Sequence, residues 1–399
     1  MTPAAVRDGA PAARPPLRVA HTEASTGWGG QEIRILTEAA GMRARGHDVV
    51  LLAARGARIV EEAPRFGVPV VPLPIGRKRP AGLAAMARAL RAGRYDVVNT
   101  HSSTDSWLAA LACAWLRARG LPAPALVRTR HVSVPVPRDA ATRWLYRRAT
   151  VRTVTTGEAL RERLVRENGL DPARVESVPT GIDAGRYGQL ARDEARRALG
   201  LPDGAPLVGI VATLRSWKGH RHLVEALGRM RRADARLVIV GDGPQRDALE
   251  AQVAALRLGA RVTFAGQQRD VAPWLAALDV VALPSYANEG VPQALLQAMF
   301  ARVPVVTTDA GAIPEIARDG DTASVVPRED SAALAAALDA LLDDPARGAA
   351  QAARAHAFVA RRYALDAMLD RMEDAFRRAI DDARAGGRTV ARRGASARG

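Results

Sequence analysis

Ser285-Tyr-Ala-Asn-Glu289-Gly-Val-Pro292-Gln-Ala-Leu-Leu-Gln297-Ala-Met299, continued by Phe300-Ala-Arg-Val-Pro304-Val-Val306, decides the fold of this chain. The apolar run Val280-Val-Ala-Leu283 just before it reads as a short buried strand. Asn288-Glu-Gly then supplies an acid and turn formers. Pro292 suits the start of a helix, where a missing N–H leaves no bond unmade. A second apolar run follows at 303–306. Strand, polar loop, helix and strand is the repeating unit of a parallel sheet, whose ligands gather beyond the carboxyl ends of the strands. The backbone around Val291 and Pro292 and the partial positive charge of the helix start favour an anionic group such as a diphosphate. Glu289 faces such a ligand from the loop, and Gln297, one and a half turns into the helix, reaches another part of it.

The same unit recurs along the chain. In the first half, short runs rich in Val and Leu at residues 17–21, 48–53, 68–73, 96–100, 125–129 and 151–155 alternate with helical stretches such as 30–45, which Gly46 stops. In the second half, strands are expected at 206–213, 236–240, 261–265, 279–283, 303–307 and 323–326, with helices starting near Lys218, Pro244, Val271, Val291 and Ser331. The pattern restarts after Val178-Pro-Thr-Gly-Ile-Asp-Ala-Gly-Arg-Tyr-Gly188, where Pro and three Gly break any regular element. Two parallel sheets in succession make an α/β chain of two domains. At 399 residues the length agrees, since domains run to roughly 150–200 residues each.

The order Glu289-Gly-Val-Pro292, a polar residue eight positions after the Glu, Ala298-Met299 and Pro304-Val-Val306 resembles the donor-binding signature of the family 4 retaining glycosyltransferases. The resemblance implies the GT-B fold: two Rossmann-like domains facing a cleft, with a C-terminal helix crossing back to the first. Residues 1–16, rich in Ala and Pro, read as a disordered N-terminus; the resemblance implies an acceptor domain over 17–185 and a nucleotide-sugar domain over 186–362. The returning helix would occupy 363–383, and a disordered basic tail 384–399. Glu289 would touch hydroxyls of the transferred sugar, with Gly290, Val291 and Pro292 beside it. Position 297, a second Glu in the family, would hold the ribose. Here it is Gln297, whose amide donates and accepts hydrogen bonds but brings no charge.

Moving a sugar off a nucleotide builds negative charge on the departing diphosphate, which the family neutralises with basic side chains and helix starts, so neither a metal nor another cofactor is expected. Arg215 and Lys218, in Thr213-Leu-Arg-Ser-Trp-Lys-Gly-His220 at the end of a strand, match the family's Arg and Lys for that task. Gly27-Trp-Gly29-Gly30-Gln-Glu32 follows the first strand, and its small residues let a phosphate approach the backbone. Gln31 and Glu32 are candidate acceptor contacts. Gly241, in Val240-Gly-Asp-Gly-Pro244, makes a turn near the nucleotide, and Gln267 follows the next strand where the base edge would lie. His131 ends its strand and would project into the cleft beside the sugar and β-phosphate. His101 is a second cleft candidate.

The net charge of +16 is uneven: residues 1–190 hold 29 Lys or Arg against 16 Asp or Glu. Residues 63–95 contain seven basic side chains and no acid, and 80–94 has helical spacing with Leu83, Met86, Ala87 and Leu90 on one side. A basic amphipathic helix of this kind can lie on an anionic membrane surface, as can the patch at 138–152. A solvated Arg-rich surface explains both equally well. No apolar run approaches the roughly 18 residues needed to cross a bilayer, and the start of the chain lacks the pattern of a signal peptide. Cys113 is alone, reads as a small buried apolar residue, and suits a cytoplasmic setting, with peripheral contact to the inner membrane face.

The expected activity is transfer from a nucleotide sugar to a glycan or glycolipid acceptor of the cell surface, of lipopolysaccharide type, by a monomer or weak dimer. A nucleotide-sugar epimerase or hydrolase of the same fold, and a donor-binding protein without turnover, are the alternatives. Few aromatics and a near-neutral second half argue against a nucleic-acid partner.

Overall fold

The computed structural model describes residues 14–131 and 134–396, with side chains as far as residue 385 in the last helix. Seven strands form the first sheet: β1 (Arg18–Glu23), β2 (Asp48–Ala54), β3 (Val70–Leu73), β4 (Val97–Thr100), β5 (Ala125–Arg130), β6 (Arg152–Thr155) and β7 (Val175–Ser177). All pair in parallel, in the order β3-β2-β1-β4-β5-β6-β7. Six more form the second: β8 (Leu207–Val211), β9 (Arg236–Val240), β10 (Val262–Gly266), β11 (Val280–Leu283), β12 (Val305–Thr307) and β13 (Ser324–Val325), ordered β10-β9-β8-β11-β12-β13. Helices cover both faces of each sheet, and β4 and β11 are buried at every residue. This is the two-sheet α/β architecture read from the sequence, with β7 as an addition too short to give a run of its own.

In each sheet the strand order reverses direction once, between β1 and β4 and between β8 and β11. Loops that leave such a point splay apart and open a crevice. The second sheet therefore places the loops after β8 and β11, which carry Lys218 and Glu289, next to each other. The first sheet places the ends of β1, β4 and β5 side by side, which brings together His21, His101 and His131.

The chain crosses between domains twice, and the crossings bond to each other. Ile182 N–H donates to the Tyr363 carbonyl at 2.8 Å, and Leu365 N–H donates to the Ile182 carbonyl at 2.9 Å. From there the helix Leu365–Ser396 runs along the first domain, and Met368, Leu369, Met372, Ala375, Phe376 and Ala379 complete its core. The returning helix was expected to stop at 383; it continues to Ser396, carried through Gly386-Gly387, the signal for a stop. The tail expected to be disordered from 384 is helical to that point, and 397–399 lie outside the described residues. At the other end, Arg14 pairs with Asp374 at 2.5 Å and Pro15 accepts from Arg377 at 2.9 Å. Residues 14–16 thus lie along the last helix rather than loose, and 1–13 are outside the described residues.

The basic segment forms the helix Pro80–Gly93, but its apolar side is not free. Met86, Ala87 and Leu90 are buried in the core of the first domain, so the helix offers solvent its arginines and no greasy face. The apolar members of the second patch are likewise occupied: Leu145 and Tyr146 are buried, and Trp144 stacks on Trp107. Cys113 is buried, which pushes its thiol up to about 11.

Phe376 is fully buried between the last helix and the first sheet. Phe376→Ala is expected to cost about 3–5 kcal/mol through lost contacts and a cavity. Denaturant unfolding followed by circular dichroism should show a lowered midpoint, and an unchanged midpoint would refute the structural role of the returning helix.

Candidate active site

Glu289 is held by its loop before any ligand arrives. Asn288 just before it adopts φ +59°, a left-handed conformation that Asn tolerates better than most residues, and the Glu289 carbonyl accepts the Ala312 N–H at 3.2 Å. The residue is 4% exposed. Its Oε1 takes the Ser285 hydroxyl and the Lys218 ammonium, both at 2.7 Å, and Oε2 lies 3.0 Å from the same ammonium. A carboxylate so buried needs a paired cation to stay charged, and Lys218 supplies it. The β8 loop can deliver Lys218 there because Gly219 follows, at φ +76°. A Cβ on that residue would sit 2.0 Å from the Pro284 carbonyl at the end of β11.

Glu289 also stands where the two domains touch. A Cβ on Gly290 would lie 2.8 Å from Thr156 Oγ1 and 3.0 Å from the His131 carbonyl, both in the first domain. Val291 is buried behind it, and Pro292 caps the helix Gln293–Phe300. A second contact lies nearby. The Glu315 carboxylate of the second domain accepts the N–H groups of Glu158 and Ala159, each at 2.9 Å, at the start of the first-domain helix Glu158–Asn168. A negative group is favoured at that end of a helix.

Alongside runs a cavity of about 300 Å³ shared by both domains. Gly29 and Gly30 line it from the first domain, and Gly241, Gln267, Gln297 and Tyr187 from the second. Gln293 joins it to the Glu289 loop, its Oε1 3.4 Å from where a Cβ on Gly30 would be. Burial pushes the Tyr187 phenol up to about 12, so it keeps its proton, and Gln297 lies within reach of it. The sequence-derived residues fall into two groups. Gly29, Gly30, Gly241, Gln267 and Gln297 line the cavity; Lys218, Glu289, Gly290, Val291, Pro292 and His131 do not line it but gather at the contact between the domains, with Pro292 just before Gln293 in the chain. Arg215 stands apart: it is exposed, with its guanidinium 5.9 Å over the Trp217 ring.

Several buried polar groups were not anticipated. Glu23, at the end of β1, accepts from Ser25 N–H at 2.7 Å and from Gln31 at 2.5 Å, which turns Gln31 inward. Burial, then the nearby Asp105, pushes the Glu23 carboxyl up to about 8. Glu32 is buried too, which raises its pKa. Asp105 had a visible signal, since Ser102-x-x-Asp105 is a capping box for the helix Ser103–Ala118. His101 is not open to the cleft; it is buried between His21 and His131.

Residues 28–186 match the family described as Glycosyltransferase Family 4, and residues 205–344 match Glycosyl transferases group 1. The D-inositol 3-phosphate glycosyltransferase of Xylanimonas cellulosilytica is 31% identical over 390 residues, which cover 86% of this chain and 91% of that protein. The chain belongs to glycosyltransferase family 4. The D-inositol 3-phosphate glycosyltransferase of Nocardia farcinica is 34% identical, in a match that covers 63% of this chain and 60% of that protein. The 2-deoxystreptamine N-acetyl-D-glucosaminyltransferase of Streptomyces fradiae is 29% identical, over 92% and 96% of the two chains. Among solved structures, Anabaena Alr3699/HepE in complex with UDP-glucose superposes with a TM-score of 0.79 at 22% identity, covering 90% of this glycosyltransferase and 98% of that chain. WaaG, a glycosyltransferase involved in lipopolysaccharide biosynthesis, superposes with a TM-score of 0.68 at 18% identity, covering 90% and 99%. Both likenesses confirm the GT-B fold.

Lys218→Ala leaves the Glu289 carboxylate buried without its cation, and Glu289→Ala leaves the ammonium unopposed. Each is expected to lower turnover about 10²–10³-fold, the scale of losing one preorganised charge partner at a reacting centre. Circular dichroism should show a retained fold, and near-normal turnover in either variant would remove the pair from the site.

Proposed function

We propose that this glycosyltransferase is a retaining enzyme that moves a sugar from a nucleoside diphosphate to a hydroxyl group of an acceptor seated on its first domain. The observation that carries the reading is the Lys218–Glu289 pair at the contact between the domains, with Glu289 four residues before Gln293 of the shared cavity. In this reading Gln297 and Tyr187 hold the ribose, and Gly29 and Gly30 let the phosphates approach the start of the first helix. Glu289 takes hydroxyls of the sugar. Lys218, with Arg215 swung in from the surface, opposes the charge on the diphosphate. The bond from the anomeric carbon to the phosphate oxygen breaks with its electron pair going to the phosphate. The acceptor oxygen forms its bond on the same face, and its proton passes to the departing phosphate.

For the acceptor we favour an anionic glycan of the cell surface, such as a lipopolysaccharide core or a lipid-linked oligosaccharide. The basic first half supports it, as does a cavity of about 290 Å³ lined by Arg138, Arg143, Arg147 and Arg166. Among the described residues no helix is long and apolar enough to cross a membrane. Contact with an anionic inner leaflet would rest on the exposed side chains of Arg77, Lys78, Arg79, Arg88 and Arg91. A second reading, a small cyclitol acceptor, is favoured by the names of the relatives at 29–31% identity.

UDP-, GDP- and ADP-sugars tested by thermal shift should reveal one donor, since a ligand at 100 times its Kd stabilises by about 2.7 kcal/mol. With that donor, NMR of the product should show the donor's anomeric configuration, and inversion would refute retention. Transfer to a lipid-linked or phosphorylated glycan supports the first acceptor; transfer only to inositol phosphate or 2-deoxystreptamine supports the second. Nucleotide release without any acceptor would indicate a hydrolase or epimerase.

A further inference from the structure

Three histidines stand in a row beneath the cleft. β1, β4 and β5 are consecutive in the first sheet; His21 lies within β1, two residues before its end, and His101 and His131 directly follow β4 and β5. His21 Nδ1 lies 2.9 Å from His101 Nε2, and His101 Nδ1 lies 2.9 Å from His131 Nε2. His21 is fully buried and His101 nearly so, while His131 is half-buried at the interdomain contact. Burial holds all three rings neutral and lowers His21 to about 3. At the far end, His21 Nε2 faces Glu38 Oε1 at 3.8 Å, and Arg34 Nε lies 3.5 Å from Glu38 Oε2.

A neutral imidazole carries one N–H, so rings joined nitrogen to nitrogen must all point their protons the same way. Two arrangements exist. If Glu38 is protonated, its O–H can donate to His21 Nε2. His21 Nδ1–H then donates to His101, His101 Nδ1–H donates to His131 Nε2, and His131 presents Nδ1–H. If Glu38 is ionised, every proton moves to Nε2, His21 donates to the carboxylate, and His131 presents a bare Nδ1 lone pair. Because Nε2 of His131 is taken by His101, Nδ1 is the ring nitrogen left for a ligand. The last link is open: at 3.8 Å the Glu38–His21 contact exceeds a hydrogen bond, and neither His21 Nε2 nor either Glu38 oxygen has a hydrogen-bond partner at normal distance.

We propose that Glu38 and His21 are positioning residues: acting through His101, they decide whether His131 offers the bound donor a hydrogen-bond donor or an acceptor. The inference rests on the reading of His131 as a residue beside the departing diphosphate. An anionic leaving group needs an N–H, so the protonated Glu38 arrangement is the productive one. Glu38 is placed to exchange its proton near neutrality. Burial raises it, the Arg34 cation on its own helix and the Asn99 side chain from β4 pull it back, and it settles at about 7. His21 from β1 faces it as a neutral ring, and the last helix contributes Phe376, an uncharged ring edge against His21 at 6.3 Å.

Wild-type turnover is expected to fall about tenfold as pH rises from 6 to 8, the fall in the protonated fraction of a carboxyl that titrates at about 7. Glu38→Gln, whose amide can donate to His21 Nε2 at any pH, should keep turnover and remove that fall. His21→Phe should lower turnover at every pH. ¹⁵N NMR of labelled protein without substrate reads the chain directly: the His131 proton should move from Nδ1 to Nε2 across the same range in the wild type and stay on Nδ1 in Glu38→Gln. A His131 tautomer that ignores both pH and Glu38→Gln overturns the proposal. If the tautomer responds but His131→Ala transfers sugar normally, the placement of His131 beside the diphosphate fails and the coupling stands.

Discussion

A guanidinium with no exposure to water holds the first domain to both crossings of the chain. Arg34, on the first helix, donates to the Val178 carbonyl at 2.7 Å and to Thr180 Oγ1 at 3.3 Å, in the segment that leaves the first sheet. It also reaches Met372 Sδ on the returning helix at 3.8 Å and pairs with Glu38. Burying a charge is so costly that its partners cannot drift far without unfolding the surroundings. First helix, linker and last helix are therefore locked as one body. The waist where the chain passes between the domains is the hydrogen-bonded pair of crossings at Ile182 and Tyr363.

Beyond that waist, both sheets aim their switch points at the same crevice, and each brings a different kind of polarity. The second sheet contributes a closed ion pair, Lys218 with Glu289, whose charges cancel until a ligand separates them. The first contributes neutral groups kept neutral by burial: three imidazoles and the Glu23 carboxyl. Such a division suits a reaction in which charge appears only as a bond breaks, since fixed partners then need little reorganisation. Gly290 and Glu315 bring the halves into register at this point.

Much of this was legible from residue patterns. The run Val280–Leu283 is apolar on both faces because it lies inside a sheet, and the Glu289 loop announced its site by lying between that run and a helix start. Less legible was anything set by neighbours distant in the chain. The strand β7 has three residues and no run to show. The helix Pro80–Gly93 looked ready for a membrane because spacing reveals an apolar side but not what covers it; here the first-domain core does. Arg215 shared a motif with Lys218, yet the turn that presses Lys218 against Glu289 leaves Arg215 facing solvent. His21 and Glu38 escaped notice since only the strand order, with β4 and β5 beside β1, puts them in line with His131.

The returning helix has a consequence for how the molecule is made. Six of its side chains belong to a core whose other members lie between Leu17 and Val178. Domains ordinarily condense as the ribosome releases them, earliest first. Here the opening half emerges with a greasy seam along one flank and stays unsealed while some two hundred further residues are translated. The later half, whose core draws on residues 182–363, can close first. Nascent chains of this transferase thus carry an exposed furrow for about half of their synthesis, one that a chaperone can shield and that the final helix then zips shut.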